Sequence, residues 1–201
     1  LSIEVLRVAF CFLKRYREMK EIKDAALVVV DVQNYFFKAG SYAKISSSER
    51  VLVRINSMIR LFEKLRSLIV YTKQLYPESP SHPMRRWWKR LPAGSECDLF
   101  NELYMAEYSV LIEKENYSAF YCTNLERILK RRAIRRLFFC GVMTHLCVET
   151  SIRDAFMRGF ECFLIEDATA SKDKRFHNSS IRNLRHGFCW IVRSTDLYEK
   201  I

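Results

Sequence analysis

Glycine and proline are scarce, with five Gly and four Pro in 201 residues. That scarcity excludes collagen-like, linker-rich and low-complexity chains. No apolar run approaches the roughly 18–20 residues of a membrane span. The longest near the start, Val8 to Leu13, is short and followed by Lys14 and Arg15, with no small-residue cleavage pattern. It argues against a secretory signal. The seven cysteines are odd in number and no two have CxxC spacing, so neither a disulfide framework nor a zinc ribbon fits. The compartment expected from such cysteine usage is a reducing cytoplasm, with a thiol free for catalysis. Acidic residues are outnumbered, 23 against 34 Lys and Arg, leaving a net charge of +11. Such charge permits contact with anionic surfaces but does not prescribe nucleic acid. Neither nucleic acid nor membrane is an expected partner.

What is present fits a soluble globular protein. Apolar residues make up 49% of the chain, too many for intrinsic disorder, and the length suits one domain with a substantial core. Residues 1–23 are predicted to form an N-terminal amphipathic helix, with Val5, Leu6, Phe10 and Leu13 on one stripe; residues 24–201 form the main domain. Ala25 to Val30 is continuously apolar and rich in β-branched residues, which predicts a strand buried on both faces. Further strands are expected at Ser67–Thr72, Ser109–Ile112, Leu137–Cys140, Glu161–Ile165 and Phe188–Val192. Helices are expected at Ser48–Leu65, Asn124–Arg132 with Thr123 as N-cap, Thr144–Arg158 closed by Gly159, and Lys174–Arg185. Pro77 to Gly94 holds all four prolines and reads as a long loop of the kind that forms lids. Alternating strands and helices predict an α/β fold: a doubly wound, mostly parallel sheet with helices on both faces.

Ligand sites in such sheets lie beyond the carboxyl ends of the strands, and three chemical groups are predicted there. Asp31 directly follows the first strand, Lys114 follows Val110 to Ile112, and Cys147 sits in the first turn of the helix after Cys140. A thiol at a helix N-terminus is expected to be acidified by the macrodipole. Asp31 is placed to accept its proton and Lys114 to hold the resulting charge. Each group also has an ordinary role, as a turn residue, a solvated cation and a small packing residue; their joint placement favours the reactive one.

The context of these groups is more specific. Asp31 lies in the block Ala26 to Phe36, Lys114 in Glu113 to Phe120 followed by Thr123 to Glu126, and Cys147 in Cys140 to Phe160; a fourth block runs from Asp167 to Ser171. These four blocks, in this order, resemble the isochorismatase-like cysteine hydrolase superfamily from about Ala25 to Val192. The resemblance implies an Asp31–Lys114–Cys147 triad whose thiolate attacks an amide or carbamoyl carbonyl. It also implies a cis peptide at Val142–Met143, with the N–H groups of Met143 and Cys147 forming an oxyanion hole. No cofactor is implied, and a homo-oligomer, dimer or tetramer, is expected.

Departures from the family pattern narrow this reading. Related nicotinamidases bind a metal through an Asp and a His in a stretch matching Thr72 to Pro77; Gln74 and Tyr76 replace those ligands here, so no metal site is expected. His82 is left as a lone loop histidine. Isochorismate hydrolases proper usually lack the thiol, so Cys147 favours the amidase-like branch. A vinyl-ether hydrolase using Asp31 alone and a non-enzymatic relative that binds a small anion or partner are the alternatives. Phe36, Phe37, Tyr117, Trp87 and Trp88 are candidate pocket residues for a small-molecule substrate. The basic segment Arg85 to Arg90 reads first as a lid or subunit contact, then as an anion site, and last as a nucleic-acid surface.

Overall fold

Alternate residues of the first strand point to opposite sides of the sheet, and both sets are apolar, so the strand has to be covered on both faces. The computed structural model, which describes residues 24–198 except Glu78 and Pro80, builds that arrangement. The expected helix over residues 1–23 lies outside the described residues.

Six parallel strands form one sheet. In chain order they are β1 (Ala25–Val30), β2 (Leu68–Gln74), β3 (Ser109–Lys114), β4 (Arg136–Val142), β5 (Glu161–Ala170) and β6 (Trp190–Val192), and in space β3-β2-β1-β4-β5-β6. The helices are α1 (Asn34–Phe37), α2 (Ser48–Lys64), α3 (Pro83–Trp87), α4 (Leu125–Arg131), α5 (Glu149–Met157), α6 (Lys174–Gly187) and α7 (Ser194–Tyr198). Ala25, Leu27 and Val29 join the core beneath α2 and α7; Ala26, Val28 and Val30 join the core beneath α4, α5 and α6. The result is a three-layer α/β sandwich.

The strand order reverses at β1, which lies between β2 and β4. The crevice at such a switch point opens at the strands' carboxyl ends. Gly141 brings β1 and β4 unusually close there: it has φ +109, and a Cβ on it would stand 2.1 Å from the Val30 carbonyl oxygen. Only glycine fits that approach.

Several predicted elements differ in detail. The helix expected from Thr144 begins instead as a wide π turn over Thr144–Val148, where the Leu146 and Val148 N–H groups both donate to the Met143 carbonyl at 3.0 and 3.3 Å. Gly159 does close α5: its N–H donates to Phe156, and that of Phe160 donates to Ala155, a Schellman arrangement. Thr123 sits one residue before the cap position Asn124, its hydroxyl accepting the Leu125 N–H at 3.3 Å. Strand β5 runs five residues past its expected end, with a register shift opposite Phe139 and Gly141, and Glu166 and Asp167 in the added stretch are paired with Arg185, Arg193 and Ser194. Asp167 accepts from the Ser194 N–H and hydroxyl at 2.8 and 2.6 Å, anchoring the start of α7. The Pro77–Gly94 segment is not wholly irregular: it contains α3, whose N-cap is His82, with Nδ1 accepting the Met84 N–H at 3.2 Å.

Buried thiols link this core to pH. Burial pushes the Cys140 thiol up, and that of Cys162 up to about 12, from an ordinary value of 9.0. Above pH 9 the unfolded chain loses protons that the folded chain keeps. Stability is therefore full below about pH 9 and falls as the pH climbs from there. Each of these two thiols should cost on the order of 1 kcal/mol by about pH 10. Urea unfolding at pH 7.5 and 10 checks this: a Cys140→Ala, Cys162→Ala variant should lose less stability over that interval than the parent.

Candidate active site

Asp31, Lys114 and Cys147 meet where β1, β3 and the π turn end. Asp31 takes a left-handed backbone conformation, φ +48, which costs a non-glycine residue energy and persists where surrounding bonds hold it. Its N–H donates to the Thr72 carbonyl and hydroxyl oxygens at 3.2 and 3.1 Å, and the Thr72 hydroxyl donates back to the carboxylate at 2.5 Å. The other carboxylate oxygen accepts from the Lys114 ammonium at 2.7 Å, with both side chains fully buried. Lys114 also donates to the Gln74 side-chain oxygen at 2.6 Å and the Asn116 carbonyl at 3.1 Å. All three ammonium protons thus have acceptors. Burial opposes the charge on Lys114, yet the adjacent Asp31 carboxylate outweighs it and raises its pKa above the ordinary value.

The Cys147 thiol interacts with both Asp31 and Lys114. Here the expectation of an acidified thiol is corrected. Burial dominates and pushes the thiol up, with Lys114 pulling down and Asp31 pushing up. The π turn places the buried sulfur beside a buried carboxylate, and that geometry outweighs the helix terminus. Such a thiol is neutral at rest and depends on a base to remove its proton. The Val142–Met143 peptide is cis.

Cys147 forms part of the wall of a cleft of about 560 Å³, within the range of small-molecule sites. Of the predicted pocket residues, Phe36, Tyr117, Trp87 and Trp88 line it. The Trp88 indole donates to the Tyr117 hydroxyl at 2.8 Å, tying the 77–94 segment over the cleft. Trp87 is largely exposed at the rim. Phe37 does not line the cleft: one position further round α1 it turns into the core and stacks on Phe100, ring centroids 5.7 Å apart. Tyr76 and His145 also line the cleft. Burial raises the Tyr76 phenol and lowers the His145 imidazole from its ordinary 6.5, despite Glu149 and Asp173. His145 is held by the Ser171 hydroxyl at 2.8 Å and stacks on Phe176 at 4.7 Å.

A family model described as "Isochorismatase domain" matches residues 25–196. The chain belongs to the isochorismatase family. Like its relatives it is a hydrolase. It is 29% identical to Nicotinamidase 3 of Arabidopsis thaliana over 176 residues, covering 85% of each chain. It is 28% identical to the ureidoacrylate amidohydrolase RutB of Klebsiella pneumoniae over 196 residues, covering 84% of this chain and 83% of that one. The solved structure of a cysteine hydrolase from Pseudomonas syringae pv. phaseolicola superposes with a TM-score of 0.81 at 19% identity, covering 89% of this chain and 94% of that one, which speaks to the fold.

The stretch Thr72 to Pro77, for which the resemblance to nicotinamidases raised the question of metal ligands, carries Gln74 and Tyr76. The Gln74 side chain serves Lys114 and donates to the Leu75 carbonyl at 2.5 Å, and Tyr76 offers a protonated phenol. This donor set does not suit a divalent cation, and no cluster of three or more His, Cys, Asp or Glu among the described residues is placed to hold one. Sequence reading missed Gln33, whose amide bridges the Gln74 and Cys97 carbonyls at 3.0 and 2.6 Å and accepts the Gln74 N–H at 2.9 Å. It also missed the supporting roles of Thr72 and Gln74. The available signal was their i, i+2 spacing on one strand face, obscured because β2 was expected to end at Thr72.

Proposed function

We propose that this chain is a cysteine amidohydrolase that cleaves the C–N bond of a small amide, ureido or carbamoyl compound. The observation that carries the reading is the fully buried Asp31–Lys114 pair set against the Cys147 thiol at the cleft wall. The activities named for Nicotinamidase 3 and RutB support the bond type.

In this mechanism Cys147 Sγ attacks the carbonyl carbon while its proton passes to Asp31. The tetrahedral oxyanion is held by the Met143 and Cys147 N–H groups, where one such donor is worth roughly 10²–10³ in rate. Asp31 returns the proton to the leaving nitrogen, the C–N bond breaks, and ammonia or an amine departs from a thioester. A water then gives its proton to Asp31 and attacks the thioester carbonyl. The C–S bond breaks, the acid leaves, and Cys147 takes the proton back. Lys114 holds the Asp31 carboxylate in place and balances the thiolate charge as it develops; Thr72 and Gln74 position that pair.

A panel of primary amides and carbamoyl compounds, assayed for ammonia release with and without hydroxylamine, tests this. A covalent acyl-enzyme should divert part of the product to a hydroxamate. Absence of ammonia from every member would overturn the proposal.

A further inference from the structure

The cleft changes character from its base to its mouth. At the base the charges of Asp31 and Lys114 cancel each other behind Cys147. The middle is walled by aromatic faces, among them Tyr35, Phe36, Trp88 and Tyr117. The mouth is cationic: Lys89, Arg90 and Lys172 all line it, against one acid, Asp173. Asp173 is already taken by Arg175, which reaches it through its N–H and guanidinium at 2.7–3.2 Å. Arg90 shares its charge with Glu96 at 2.9 Å. Lys172 and Lys89 meet no carboxylate among the described residues. The Lys172 ammonium donates to the Tyr42 carbonyl at 3.0 Å and stands 5.3 Å from the Tyr42 ring centroid, with the Arg90 guanidinium 5.5 Å from that same centroid. Two cations 82 positions apart in the sequence therefore converge on one aromatic residue at the rim, and neither contact removes the positive field.

We infer that the cleft takes an amide or carbamoyl compound whose apolar or aromatic spacer ends in an anionic group, seated at the mouth between Lys172, Lys89 and Arg90. The inference rests on the amidohydrolase reading for the end of the substrate that enters first. A neutral reacting group belongs at the charge-balanced base. A flat apolar spacer fits the aromatic walls, and a volume of about 560 Å³ leaves room for one beyond a bare carboxamide. An anionic tail is the chemistry that satisfies the two lysines without a carboxylate partner; a cationic tail would add to their repulsion.

The test uses benzamides bearing a para carboxylate directly or through one, two or three methylenes, against the matching uncharged methyl-terminated series. Binding to the Cys147→Ala protein is read by calorimetry, and ammonia release by the parent enzyme is read separately. At least one carboxylate should bind about tenfold more tightly than its neutral match. That preference should shrink as salt rises from about 0.05 to 0.5 M. It should vanish in a Lys89→Met, Lys172→Met double variant and reverse toward trimethylammonium analogues in Lys172→Glu. Equal binding of every charged and neutral pair, or a preference that survives the double variant, overturns the inference. The two readings fail separately. A charge preference in binding without ammonia from any benzamide or from any member of the amide and carbamoyl panel sinks the amidohydrolase reading and leaves the anion seat standing. Ammonia from charged and neutral members alike, without a binding preference, does the reverse.

Discussion

Cys147→Ala should slow ammonia release from amide substrates by at least about 10⁴-fold, the scale on which removal of an enzyme's nucleophile is felt. Nothing else along the reaction path offers a replacement. Asp31 has one oxygen on the Thr72 hydroxyl and the other on Lys114, so it is placed to move protons rather than to attack. The other thiol on this stretch, Cys140, is fully buried in the core beneath α2. The fold should tolerate the change. Cys147 packs at 6% exposure beside the cleft, and loss of one sulfur there costs about 1 kcal/mol, a few degrees in Tm. Cys140→Ala is the matched control, expected to show a similar shift in Tm with turnover retained. A vinyl-ether hydrolase working through Asp31 alone predicts a different result: no ammonia from any amide, and turnover of its own substrate surviving in Cys147→Ala. Initial rates of both variants with a substrate found in the panel, together with thermal melts, decide between them.

Lys114→Met should be the most destabilising single change in the site. It leaves the Asp31 carboxylate buried without its counter-ion, and breaking a buried pair in this way costs about 3–5 kcal/mol. For a domain of this size that is a fall in Tm of about 10 °C. The cause is the uncompensated charge rather than lost packing, since methionine fills similar space. One result follows from that cause. Adding Asp31→Asn should restore much of the lost stability, so the double variant melts above the single Lys114→Met protein. Melts of the three variants at pH 7.5 check this. If the double variant is less stable than either single one, lysine packing rather than charge balance holds the site.

How much of this was legible beforehand varies by element. Strand β1 was plain, because a strand covered on both faces has to be apolar at every position, and Ala25 to Val30 is. Strand β5 was cut short, because its second half carries Glu166 and Asp167, whose partners Arg185, Arg193 and Ser194 come from the end of the chain. Local pattern has no access to a distant partner. The end of β2 was missed for the same reason: Gln74 is buried at 2% exposure because Gln33 and Lys114 satisfy it. Among the pocket candidates, Phe36 and Phe37 are indistinguishable as neighbouring aromatics. Only the rotation of α1 against α2 and Phe100 sends one to the cleft and the other to the core.

The sequence by itself determined the α/β alternation, the placement of Asp31, Lys114 and Cys147 at the ends of three strands, and the family. Those depend on periodicity and on short motifs, which are local. Tertiary structure alone decided the protonation character of Cys147, because desolvation and the charges of Asp31 and Lys114 come from three separate parts of the chain. It also decided the cationic mouth, where Arg90 and Lys172 lie 82 positions apart in the sequence yet meet at one tyrosine ring. Electrostatic fields sum over distance in space, and chain order carries no record of that distance.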